Sequence, residues 1–309
     1  MQTTEDILPE ISTQMVKANG LNFEVDMMGS GDRLILMLHG FPEHSVSWRF
    51  QMPYFAALGY RVWAPNLRGY GNSSAPEGRK AYAIETLMAD VGALIDAAGC
   101  REVTLVAHDW GAVIAWYFAM RQVRQIDRLV ICNVPHPGPA AKAVSWAQLK
   151  KSWYIFFFQL PYLPERMLVK GAGMGDMIKA TAASPQNFSD AVISLYDANA
   201  KRPQNAKAMI NYYRALVGGG GARRQKRLGL PIIEVPTLML WGEDDMALSI
   251  ETTYGTEDYV RDFTIRYLPG ISHWVQQDAP DATNQMMAAF LAGTPIPEFQ
   301  DLLAQVNPQ

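Results

Sequence analysis

Two cysteines in 309 residues, Cys100 and Cys132, leave no material for a disulfide scaffold, and neither has the CxxC spacing of a metal or redox site. A reducing compartment, the cytoplasm, is the expected location. A basic-then-apolar leader is also lacking: the chain opens on the acidic, polar MQTTEDILPE, so no signal or transit peptide is expected. Nor is there a clean apolar run of membrane-spanning length. The aromatic stretch Trp153 to Phe158 is far too short, and Val103 to Met120 carries His108 and Asp109 in its middle, which reads as a buried strand and helix. Net charge is small, −3 from 27 Lys and Arg against 30 Asp and Glu, with a pI near 6.0; taken whole this argues against a nucleic-acid or anionic-membrane binder. Internal repeats are lacking as well. With 49% apolar and 18% charged residues, disordered, collagen-like and coiled-coil chains are excluded.

What is present is alternation. Short apolar, β-branched runs at Arg33 to Leu38, Arg61 to Ala64, Glu102 to Ala107 and Arg128 to Cys132 read as strands, as do Thr237 to Trp241 and Thr264 to Leu268. Helical periodicity separates them, at Ala83 to Ala98, which stops at Gly99, and at Trp110 to Arg121. Strand-helix alternation predicts an α/β fold on a mostly parallel sheet. Between Pro135 and Leu230 the alternation ceases; helical patterns and polar loops predict a helical insertion, 135–230, in a core made of 1–134 and 231–309. Near its end, Gly218 to Gly221 and the basic ARRQKR read as a flexible loop, with a nucleic-acid patch as the distant alternative. Charge divides at the same boundary. From Val134 to Leu230 there are 14 Lys and Arg against 4 Asp and Glu, a net of +10, which leaves −13 on the remainder. Docking by complementary charge explains this, or else a basic cap that draws acidic substrates.

The chemistry gathers where strands end. In REVTLVAHDWGAVIAW, Asp109 stands between an apolar strand and an apolar helix, with Ala107 and Gly111 as the small neighbours a sharp turn needs. This is a nucleophile elbow with aspartate in the serine position; the plainer reading is an N-cap. A carboxylate needs no activating base to attack a saturated carbon, but the resulting alkyl ester must then be hydrolysed, which needs a base, activated water and an oxyanion hole. His273, in GISHW after the last strand, stands where a triad histidine would. The preceding loop, WGEDDMAL, offers Glu243, Asp244 and Asp245 as the acid that orients it. His39, Gly40, Phe41 and Pro42 follow the first of these strands. Gly40 permits a close turn, Phe41 can donate its N–H to an oxyanion together with the N–H of Trp110, and Pro42 can be cis.

HGFPE at 39–43, SWRFQ at 47–51, AHDWGA at 107–112, WGEDDMAL at 241–248 and SHW at 272–274 together resemble the epoxide hydrolases of the α/β-hydrolase fold, from about Asn22 to Phe290. The resemblance implies that the insertion is a helical cap and that the acid is Asp245, from the family's WGxxDxxL pattern. It also implies two cap tyrosines that hold the epoxide oxygen: Tyr154, in SWYIFFFQLPYLPE, and Tyr213, in INYYRA, with Tyr212 one residue out of register. Conversion of a small-molecule epoxide and water to a vicinal diol follows, with no metal or cofactor, no nucleic acid and no membrane span, in a monomer or homodimer. The nearest rival is a haloalkane or haloacid dehalogenase. Such enzymes often carry asparagine after HG or arginine after the nucleophile, where this chain has Phe41 and Trp110, and a halide needs no proton from tyrosine. A silent hydrolase-fold binding protein would lack a catalytic group, and none is missing here. A serine esterase would need GxSxG at the elbow.

Overall fold

The computed structural model describes residues 3–143, 145–171 and 173–306. Its centre is one eight-stranded sheet in the order β1-β2-β4-β3-β5-β6-β7-β8. The strands are β1 (Ser12–Ala18), β2 (Leu21–Met28), β3 (Arg33–Leu38), β4 (Arg61–Pro65), β5 (Glu102–His108), β6 (Arg128–Cys132), β7 (Thr237–Gly242) and β8 (Phe263–Leu268). From β4 to β8 all neighbours are parallel, while β1 and β2 add an antiparallel edge. The central strands β3, β5, β6 and β7 are almost wholly buried, because helices cover both faces and leave no solvent side for polar alternation. Trp116 and Phe118 belong to the apolar cluster on one face; Trp48 and Phe55 belong to the cluster on the other.

Six expected strands are found with ends within about one residue, as are the helices Ile84–Ala98 and Trp110–Arg121. The edge hairpin was not anticipated. β1 carries mixed exposure without clean alternation, although Asn19-Gly20 between β1 and β2, at φ 47° and 73°, is the two-residue turn that joins such strands.

From 135 to 230 the described residues form only helical elements and connecting turns, and a single bridge, Ile233 with Val260, precedes β7. Helix Pro137–Lys142 lies beside the 3₁₀ turn Ile250–Thr253, with Gly138 packed on Tyr259. The reading of ARRQKR as a loop is corrected: it lies in the helix Gly221–Leu228. The break is confined to Gly219 and Gly220, the latter at φ 73°. Beyond it the chain is pinned to the core, because Arg224 binds Glu85 through two bonds of 2.9 Å and Arg121 reaches Gln225 and Gly229. Arg224–Glu85 and Lys207–Glu77 are ion pairs between the basic insertion and the acidic remainder.

Candidate active site

Asp109 occupies the turn between β5 and the Trp110–Arg121 helix at φ 46°, ψ −120°, a conformation that a non-glycine residue holds only under constraint. The constraint is the turn after β3. Gly111 donates its N–H to the His39 carbonyl at 3.1 Å, and a Cβ on Gly111 would lie 2.3 Å from the Leu38 oxygen. A Cβ on Gly40 would lie 2.2 Å from that of Asp109. Glycine at both positions therefore lets the two turns interlock. The side chain of Asp109 makes no cap bond to its helix; Oδ1 instead accepts the Phe41 N–H at 2.6 Å. The Trp110 N–H, the other expected oxyanion donor, has no backbone partner among the described residues.

The turn holding Phe41 is itself fixed. Leu67 donates to His39 Nε2 at 3.0 Å, so the ring proton sits on Nδ1 and is given to the Gly40 carbonyl at 2.9 Å. Burial pushes His39 down to about 4, so it is neutral. The Phe41–Pro42 bond is cis.

His273 Nδ1 lies 2.6 Å from Asp245 Oδ2, and its Nε2 lies 3.8 Å from Asp109 Oδ2. Glu243 and Asp244 point to solvent, whereas Asp245 is buried. Asp245 Oδ1 accepts the N–H groups of Ala247 and Leu248 at 2.7 and 2.9 Å, and Oδ2 accepts Asn133 Nδ2 at 2.9 Å. Burial raises the carboxyl groups of Asp245 and Asp109, but the His273 charge and these hydrogen bonds outweigh it, and both lie below the usual carboxylate range. For His273, burial favours the neutral ring, yet the two carboxylates dominate and push it up to about 10.

A cavity of about 600 Å³ opens over Asp109 and His273, walled by aromatic and methionine side chains, Tyr154 and Tyr213 among them. Tyr213 packs edge-on to Phe41 and Trp110, with centroids at 5.4 and 5.1 Å, and Tyr154 lies 5.8 Å from Tyr213. Burial raises both tyrosines well above their usual range, so both carry their protons. Tyr212 turns the other way and donates to the Arg68 carbonyl at 2.9 Å.

Seven contributors were not singled out from the sequence. Asn133, at φ 47° after β6, holds Asp245 and also accepts the Gly242 N–H at 2.8 Å. Beneath the histidine, His108 meets Glu43 Oε2 at 2.7 Å and the His273 carbonyl at 2.9 Å; Gln276 and Gln277 donate to the other oxygen of Glu43. Gln148 and Lys151 reach the acid loop, at the Ala247 carbonyl (3.0 Å) and the Asp245 carbonyl (2.7 Å). Glu43 and His108 lie inside motifs already noted, but only the packing of separate loops reveals these partnerships. Among the described residues no group of three or more His, Cys, Asp or Glu could hold a metal.

A mostly parallel sheet with Asp109 in the turn after β5, Asp245 after β7 and His273 after β8 has the order of an α/β hydrolase, and the family profile for that fold matches residues 33–280. The chain is 34% identical to Epoxide hydrolase 1 of Caenorhabditis elegans over 93% of its length and 72% of that protein. It is also 35% identical to an AB hydrolase superfamily protein of Bacillus subtilis over 91% of this chain and 98% of that one. A crystal structure of an epoxide hydrolase from Vigna radiata superposes with a TM-score of 0.81 at 28% identity, covering 93% of this chain and 99% of that one. The chain belongs to the epoxide hydrolases of the α/β-hydrolase fold.

Proposed function

We propose that this chain converts epoxides to vicinal diols in two steps through a covalent ester on Asp109, with residues 135–230 acting as a cap that supplies the acids. The observation that carries the reading is the division of labour on Asp109. Oδ1 sits on the Phe41 N–H, while Oδ2 faces His273 across 3.8 Å, in a cavity that Tyr154 and Tyr213 also line.

In the first step Oδ2 attacks an epoxide carbon, the C–O bond breaks, and one tyrosine gives its proton to the leaving oxygen as the other donates a hydrogen bond. Without such donors the alkoxide is a poor leaving group at neutral pH. Esterification removes the negative charge of Asp109, so His273 loses one of its two stabilising carboxylates and can surrender its proton to the tyrosinate. In the second step neutral His273, held by Asp245, takes a proton from water and the hydroxide adds to the Asp109 carbonyl carbon. The oxyanion then lies on Oδ1, against the N–H groups of Phe41 and Trp110. Collapse expels the diol, which takes its proton from His273, and leaves one oxygen of water in the Asp109 carboxylate.

The two tyrosines favour this over halide release, because a departing halide needs no proton, yet both side chains line the cavity over Asp109. Assay of styrene oxide, an aliphatic epoxide and a haloalkane, with wild type and Tyr213→Phe, tests the reading. Diol formation lost in the variant supports it; halide release indifferent to the variant, without diol, refutes it.

A further inference from the structure

The +10 charge of residues 134–230 is not spread evenly, and neither is the exposed apolar surface. Among the described residues, seven of the sixteen exposed large apolar side chains fall within residues 146–167. Among them are Trp146 at 81% exposure, Trp153 at 61%, Phe156 at 64% and Tyr162 at 80%. Apolar side chains scattered singly are ordinary on a protein surface, but a concentration of this kind marks a surface that meets something. Two observations identify the occupant. The first is charge: Lys150, Arg166 and Lys170 are exposed, and none has a carboxylate within ion-pair distance among the described residues. Between residues 140 and 175 the sequence has one acid, Glu165, and Arg214 neutralises it at 2.5 Å. The second is position. Trp153, Met167 and Met246, each more than half exposed, also line the cavity above Asp109, so they form its rim.

We infer that this face of the cap is a docking surface for an anionic lipid bilayer, with the cavity mouth turned toward the lipid. Aromatic side chains with polar tips, interleaved with Lys and Arg, are the composition that settles at headgroup depth, and each basic residue near an anionic surface raises partitioning by about fivefold. The balanced net charge of the whole chain conceals this local patch, which revises the earlier exclusion of anionic membranes. The association is peripheral, since among the described residues no helix is long and apolar enough to cross a membrane.

Vesicle binding tests the inference without requiring turnover. The full chain is sedimented with vesicles of phosphatidylcholine alone or of phosphatidylcholine with 30% (about one lipid in three) phosphatidylserine, at low and high salt. The expected result is binding to the anionic vesicles at least tenfold tighter, weakened by salt, with a blue shift of tryptophan emission. Phe156→Ser with Tyr162→Ser, and separately Arg166→Glu with Lys170→Glu, should each reduce that binding at least tenfold, while thermal unfolding and turnover of a water-soluble epoxide stay as in wild type. No binding to either vesicle, or binding that neither pair of substitutions reduces, overturns it. So does a concentration-dependent dimer in the absence of lipid that the serine pair dissociates, which would assign the face to a second copy.

Discussion

Replacing Asp109 by asparagine keeps the shape of the elbow and removes one charge 3.8 Å from His273 Nε2. At an effective dielectric of about 20, two unit charges at that distance interact by about 4 kcal/mol. Since about 1.4 kcal/mol is tenfold in proton affinity, the variant should bind the His273 proton roughly a thousandfold more weakly. The wild-type histidine, pushed up to about 10, is a cation at neutral pH; in Asp109→Asn its titration should fall to near neutrality, with Asp245 still in place. On the proposed mechanism the same neutralisation accompanies ester formation, so the resting cation becomes a base at the step that needs one. Titration followed by NMR of ring-labelled histidine measures this directly, with His273→Gln to identify the signal. Of the other four histidines, burial pushes His39 and His136 down to about 4 and His44 well below its usual value, so their signals stay clear of the region. A midpoint in Asp109→Asn within threefold in proton affinity of wild type would refute the electrostatic coupling. There is a stability counterpart. Because folding raises the pKa of His273, its contribution is fully present below the ordinary histidine value near 6.5 and is lost as pH rises through about 10. The part of that loss due to Asp109 should be missing from the variant's pH-stability curve.

Tyr213→Phe should slow ester formation by about 10²–10³ in rapid-quench experiments, with hydrolysis of an already formed ester little changed. Asn133→Ala removes a donor to a buried carboxylate and strands the buried Gly242 N–H. It should cost about 1–3 kcal/mol in urea unfolding and lower kcat, whereas a purely surface role would leave both unmoved. Gly40→Ala places a methyl 2.2 Å from the Asp109 Cβ, so the interlocked turns must part. Loss of turnover with a folded circular dichroism spectrum is expected, and wild-type activity would contradict the interlock.

Strands β3 to β7 were legible because burial on both faces writes itself as continuous apolar runs such as LILML and TLVA, while the partly buried edge strand β8 was legible from its β-branched and aromatic residues. β1 was not, since an edge strand exposed on much of its length carries little hydrophobic pattern, and only Asn19-Gly20 signalled the hairpin. The helix through ARRQKR was illegible for a different reason: Glu85, 139 residues away from Arg224, holds it in place. Asp109, His273 and the Phe41 turn stood out because strand-end turns demand small residues nearby. Selecting Asp245 from three consecutive acids, and Tyr213 over Tyr212, required the family resemblance; burial of Asp245 and the turn of Tyr212 toward Arg68 are properties of packing alone. Asn133 was invisible because it acts through residues about a hundred positions further on.

The covalent ester on Asp109 is tested most directly by a single turnover in heavy-oxygen water with enzyme in excess over epoxide. The oxygen added to the diol should then come from the Asp109 carboxylate and be light, and heavy oxygen should appear in the peptide containing Asp109. Heavy oxygen in the first-turnover diol, with Asp109 unlabelled, would mean that water attacks the epoxide directly.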